Sequence, residues 1–310
     1  MTPAPFFADL ADGPEGGEAV WLRCDDGVRI RAGVWPVGTR GTVLLFNGRS
    51  EYVEKYGRAA RDLGARGYAT LSMDWRGQGL ADRAVADPMV GHVGGFAEYQ
   101  HDVDAVLGLA RELGLPEPYV LLAHSMGGCI GLRTLTRGLP ITSAVFSAPM
   151  WGISMAAWQR PLASVVSAVS GWFGQAHRYT PGTGAVTYVA EAAFQGNVLT
   201  TDPDMWDYMV RQATAHPELT LGGPSLTWLN AALVECNALS LIPSPDLACL
   251  TALGTGERVV DPGPVHLRMA AWPKGRLELY PGAEHEIIME APAFRQRFFD
   301  SAADVFSAAP

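Results

Sequence analysis

The chain has 310 residues, 48% hydrophobic and 18% charged, with a formal net charge of −9. That is enough apolar material for one sizeable buried core, and it excludes an intrinsically disordered chain. The acidic balance argues against nucleic acid or an anionic membrane surface as an electrostatic partner.

In chain order, the opening MTPAPFFADLADGPEGG lacks the basic start and apolar run of a secretory signal. Two short β-like runs follow, 19–24 and 28–35, separated by an Asp-Asp-Gly turn signal. Thr42-Val-Leu-Leu-Phe46 is a continuous apolar run of strand length, as expected of a parallel strand buried on both faces. A helix is predicted over 52–65 and a strand over 68–73. The spacing of Val103, Val106, Leu107 and Ala110 predicts a helix over 96–113. A strand at 119–123, a helix at 126–137 and a strand at 141–147 continue the alternation, which predicts a mostly parallel sheet with helices on both faces.

At Pro149 the alternation stops. Residues 150–240 are helix-prone but irregular, and rich in Trp, Met, Gly and Pro. Alternation resumes with a strand at 247–253, a helix near 264–271, a strand at 276–280 and a last helix from about Glu290. The expected organisation is therefore a single α/β core, 1–149 and 241–310, with a helical cap, 150–240, inserted after the sixth strand. No stretch reaches the roughly 20 apolar residues that span a bilayer; the most apolar candidate, 161–173, is short and carries Ser164, Ser167 and Ser170. Cys24, Cys129, Cys236 and Cys249 lie far apart with no C-x-x-C pair. Reduced core thiols in a cytoplasmic protein are expected, with no metal or cofactor.

The strongest local signal is Tyr119-Val-Leu-Leu-Ala-His-Ser-Met-Gly-Gly128, an apolar strand running into Ser125 with a helix starting at once. Such a turn lifts a nucleophilic hydroxyl out of the sheet edge. Small residues are needed on both sides, and here they are Ala123 and Gly127. The plain alternative is a serine N-cap on an ordinary strand–helix turn. His124 reads as a packed histidine pointing away from Ser125.

A serine hydroxyl needs a general base. Among seven histidines, His285 follows the strand 276–280 in a short turn, on the sheet edge where ligand sites collect. The loop after strand 247–253 offers two acids to orient it, Glu257 and Asp261. Glu257 sits at the tip of the turn, whereas Asp261 suits an N-cap with Pro262 at the first helical position, so Glu257 is the expected triad acid. Oxyanion donors are expected at the backbone N–H groups of Met126, at the helix start, and Arg49, after Gly48. The Arg49 side chain reads as solvated or paired with Glu51 or Glu54. The glycines and Asp74 of 74–79 look architectural.

Six ordered blocks resemble the monoacylglycerol lipase and bacterial lysophospholipase branch of the α/β-hydrolases. They are FNGRSEYVEKYG (46–57), DWRGQGLADR (74–83), LLAHSMGG (121–128), SAPMWGI (147–153), GERVVD (256–261) and PGAEHEIIME (281–290). The resemblance implies an α/β-hydrolase fold with a helical cap, a serine esterase activity on single-chain lipid esters, a nucleophile at Ser125 and a base at His285. It implies oxyanion donors at Arg49 and Met126. This sequence departs from the family at Glu257, where the family usually has Asp.

The cap aromatics Trp151, Trp158, Trp172, Phe173, Trp206 and Trp228, with Met150 and Met155, either line an acyl tunnel and touch lipid surfaces transiently, or simply pack the cap. Two rivals follow from the same residues: an amidase, thioesterase or acyltransferase sharing the acyl-enzyme, and a ligand-binding protein whose triad no longer turns over.

Overall fold

The computed structural model describes residues 1–154 and 177–308. Among them, one sheet runs β1 (Thr2–Pro3), β2 (Glu18–Arg23), β3 (Arg29–Trp35), β4 (Thr42–Phe46), β5 (Ala69–Asp74), β6 (Tyr119–His124), β7 (Ile141–Ser147), β8 (Ala248–Gly254) and β9 (Gly275–Tyr280). Its spatial order is β1-β2-β3-β5-β4-β6-β7-β8-β9. From β5 onward every neighbouring pair is parallel, whereas β1, β2 and β3 add an antiparallel edge. The dipeptide strand β1 was not expected from sequence, because two residues carry no periodicity. It makes the strand before residue 150 the seventh rather than the sixth.

The helices are α1 (Ala8–Ala11), α2 (Gly57–Ala65), α3 (Tyr99–Glu112), α4 (Met126–Leu135), α5 (Tyr188–Glu191), α6 (Pro203–Ala215), α7 (Leu226–Ser240), α8 (Pro262–Ala270) and α9 (Pro292–Ser307). The helix expected over 52–65 begins instead as a 3-10 turn, Val53–Tyr56, before α2.

Pleating sorts the central strands onto two cores. Leu44 and Phe46, Leu121 and Ala123, Ala144 and Phe146 pack with α3, α4, α7 and α8 on one face. Val43 and Leu45, Val120 and Leu122, and Val145 pack with α2, α6 and α9 on the other. Both faces are covered, which is why these strands read as unbroken apolar runs.

β4 leads to β5 on one side and pairs with β6 on the other, so the direction of winding reverses there. Ligand crevices open at the carboxyl ends of strands flanking such a switch. The register Phe46↔Ala123 brings the loop after β4 beside the turn after β6. No helix among the described residues is long and apolar enough to cross a membrane.

Candidate active site

Ser125 sits between β6 and α4 at φ 49° and ψ −118°. This is a strained conformation for a residue with a side chain, costing about 1–3 kcal/mol, and such strain collects at functional sites. Close packing enforces it. A Cβ at Gly127 would collide with the carbonyl oxygens of Phe46 and Asn47. The extra methyl of Ala123, relative to the glycine common at that place, faces Gly131, which has no side chain to meet it. The Ser125 hydroxyl caps nothing on α4, so the plain N-cap reading fails.

Instead, Ser125 Oγ lies 3.0 Å from His285 Nε2, and His285 Nδ1 lies 2.7 Å from Glu257 Oε2. A ring nitrogen facing a carboxylate carries the proton, so Nε2 is left free to accept the serine proton. Glu257 comes from the loop after β8, and His285 from the loop after β9. Their side chains are 2% and 4% exposed, which keeps water from competing for this line of hydrogen bonds. Glu257 Oε1 also accepts from the Val259 and Val260 N–H groups, at 2.7 and 3.0 Å. Burial alone would raise the Glu257 pKa. The His285 hydrogen bond and charge, with the two backbone donors, hold it below the ordinary value.

Asp261 is elsewhere: it begins α8 as its N-cap, accepting from Gly263 N–H at 3.0 Å. Of the two acids in this loop, geometry brings Glu257, the one favoured from sequence, to the imidazole. The Arg49 and Met126 N–H groups have no hydrogen-bond partner among the described residues. Met126 starts α4, where a free N–H favours negative charge.

The Arg49 side chain departs from expectation. It pairs with neither Glu51 nor Glu54; Nη1 donates to Gly222 O at 2.8 Å, and the guanidinium lies 5.7 Å from the Trp228 ring. Glu54 is committed to Arg31, and Glu51 to Lys55. His124 is buried and makes no bond to Ser125. Its Nδ1 donates to Ser147 O at 3.0 Å, and its ring centre is 4.9 Å from that of His285. Burial pulls its pKa down to about 4, so it is neutral at pH 7.

Sequence reasoning missed one cluster. Lys55 Nζ lies 2.7 Å from Glu51 and 2.8 Å from Glu286, all buried beside His124. Spacing was the available signal: Glu51 and Lys55 stand four apart, and Glu286 follows His285. Glu51, His124 and Glu286 have the donor types of a metal site. The Lys55 ammonium already provides the cation between the two carboxylates. A metal would have to displace it.

These groups border a cavity of about 510 Å³ that also meets Met150, Met209, Leu221, Leu229 and Val260. This volume lies within the roughly 300–1,000 Å³ of small-molecule sites. Of the aromatics considered from sequence, Trp228 lines the cavity. Trp151 packs on Phe146 and Trp272, and Trp206 on Tyr188 and Phe194, within the cores. Trp158, Trp172, Phe173 and Met155 lie outside the described residues.

Residues 38–292 match the Hydrolase_4 family model, described as serine aminopeptidase, S33. The chain belongs to that family. It is a serine hydrolase of the α/β-hydrolase fold, in the lysophospholipase and monoacylglycerol lipase branch. It is 30% identical over 265 residues to a probable lysophospholipase L2 of Haemophilus influenzae, covering 84% of this chain and 82% of the relative. Against lysophospholipase L2 of Escherichia coli it is 32% identical over 281 residues, covering 86% and 80%. Among solved structures, a soluble variant of monoglyceride lipase from Saccharomyces cerevisiae superposes with a TM-score of 0.70 at 21% identity, covering 98% of each chain. A thermostable carboxyl esterase from Bacillus coagulans gives 0.73 at 14% identity, covering 94% and 100%. These two likenesses concern the fold.

Proposed function

We propose that this hydrolase cleaves carboxylic esters of single-chain lipids, lysophospholipids or monoacylglycerols, through an acyl-enzyme on Ser125. The observation that carries this reading is the line Glu257–His285–Ser125 opening onto a cavity bordered largely by apolar side chains. Ser125 Oγ attacks the ester carbonyl as His285 Nε2 takes its proton. The oxyanion forms against the N–H groups of Arg49 and Met126. The imidazolium, oriented and stabilised by Glu257, gives the proton to the leaving alcohol. Water then attacks the acyl-enzyme with His285 again as base, and the fatty acid leaves. Residues 150–240 serve as a cap over this cavity, and the cap meets lipid surfaces transiently. The four cysteines are free and buried, which suits the reducing cytoplasm in which we place the protein.

The family description names an aminopeptidase, and that chemistry needs an anion for the substrate ammonium. Of the carboxylates lining the cavity among the described residues, the two buried ones, Glu51 and Glu286, already face Lys55, and Glu191 is exposed to solvent. That favours an ester over a peptide. The test is hydrolysis of a p-nitrophenyl ester series of rising chain length by wild type and Ser125→Ala, alongside fluorophosphonate labelling. Ester turnover and labelling, both lost in the variant, are the expected result. Turnover undiminished in Ser125→Ala overturns the mechanism. Labelling with cleavage of amides but not esters moves the amidase ahead, and no labelling at all supports a binding protein.

A further inference from the structure

Among the described residues, two side-chain cations of very different standing border the cavity. Lys55 sits between two carboxylates and is neutralised by them. Arg49 has no carboxylate partner among the described residues, and residues 155–176 contain no Asp or Glu that could supply one. Its guanidinium is held by the Gly222 carbonyl, 2.8 Å from Nη1, and by the face of Trp228. Nε and Nη2 have no hydrogen-bond partner among the described residues, and the half-buried residue borders the cavity. Burial without a countercharge pulls its pKa down to about 10. It therefore still carries its charge at neutral pH, in surroundings that favour an arriving anion.

Position decides which anion. The Arg49 backbone N–H is one of the proposed oxyanion donors, so its guanidinium is anchored one side chain's length from the scissile carbonyl. In a lysophospholipid the phosphate hangs from the same glycerol as the scissile ester. A planar guanidinium with two free donors matches phosphate oxygens better than an ammonium would.

We propose that the Arg49 side chain is the phosphate-recognition group of this site and makes a phosphate-bearing monoacyl glycerol the preferred substrate over the neutral monoacylglycerol. The phosphate is carried either as a diester to a head group or as a terminal monoester. This inference rests on the reading of the chain as a single-chain lipid esterase.

The test compares kcat/KM for 1-oleoyl lysophosphatidylglycerol, 1-oleoyl lysophosphatidate and 1-monooleoylglycerol, so that the acyl group is constant and the two phosphate sources are separate arms. Wild type is expected to prefer at least one phosphate ester. Arg49→Met, which keeps the backbone N–H, is expected to lower the phosphate-to-neutral ratio by about tenfold to a hundredfold, with Arg49→Lys intermediate. A wild-type enzyme that cleaves monooleoylglycerol at least as well as both phosphate esters overturns the proposal, whatever the variants do. So does an equal loss on all three substrates in Arg49→Met, which would mark a damaged oxyanion loop. Those two results leave the lipid-esterase reading standing, whereas hydrolysis of none of the three removes it as well.

Discussion

The Glu257 carboxylate does two things at once: Oε2 accepts from the imidazole, and Oε1 accepts from Val259 and Val260 N–H. The second set of bonds fixes the longer glutamate arm, so its extra methylene adds reach without adding freedom. Glu257→Gln keeps the shape but offers His285 an amide that can hold it in the wrong tautomer. We expect kcat to fall by roughly 10³–10⁴-fold. Asp261→Asn, by contrast, keeps a good N-cap for α8 and should retain nearly full kcat. Steady-state kinetics on a p-nitrophenyl ester checks both, and the reverse pattern would sink the assignment. Sequence alone could narrow the acid to these two residues, since both follow β8. It also favours Glu257, because Asp261 before Pro262 suits an N-cap, and the bond from Gly263 N–H is that cap. The Arg49 side chain was less legible still, because its partner Gly222 lies 173 residues away.

Elements hold these residues in place, and the antiparallel edge of the sheet is tied to its parallel part by one buried ion cluster. Arg31 on β3 donates from Nε to Asp74 on β5 at 2.7 Å, and from both Nη atoms to Glu54 at 2.8 and 2.7 Å. Asp74 also accepts from Val53 and Leu80 N–H. All three side chains are fully buried. Asp74 thus has the architectural part expected from its loop. Its partner was hidden, because Arg31 lies inside a run that reads simply as a strand. Arg31→Met leaves two carboxylates in a dry place with no cation, a loss of about 3–5 kcal/mol. The expected result is a urea midpoint well below that of wild type with an unchanged m-value. A stability loss under about 1 kcal/mol would mean that water reaches the cluster. The continuous apolar runs of β4, β6 and β7 made the parallel sheet readable, since strands covered on both faces have nothing polar to show. β1 was too short to leave a pattern, and the first turn of the helix after β4 winds tighter than its sequence indicates.

At the scale of the whole molecule, the described part of residues 150–240 is bonded to the rest of the chain at several points. Tyr208 Oη on α6 donates to the carbonyls of Ala11 and Glu54, and Gln212 Nε2 to those of Leu10 and Glu54. The backbone N–H groups of His285 and Glu286 donate to Val198 and Leu199. None of this was readable in the irregular stretch 150–240, where contacts run to residues far away in the chain. The site, this stretch and the cores are therefore expected to unfold together, and acid acts on all of them through the buried groups beside Ser125. His124 has a pKa of about 4 when folded against 6.5 as its ordinary value, because burial disfavours its charged form. Between those values the unfolded chain binds a proton that the folded chain refuses, so stability falls as pH drops through this window. Its share is about 2 kcal/mol between roughly pH 7 and pH 5. Glu51, pulled down to about 2 chiefly by the Lys55 charge against the opposing effect of burial, loses its contribution at lower pH still, below its ordinary value. Urea unfolding at these two pH values should therefore show a smaller acid loss in His124→Gln than in wild type, by about that amount. Equal losses in the two proteins would mean that His124 is protonated in the fold and stands in contact with water.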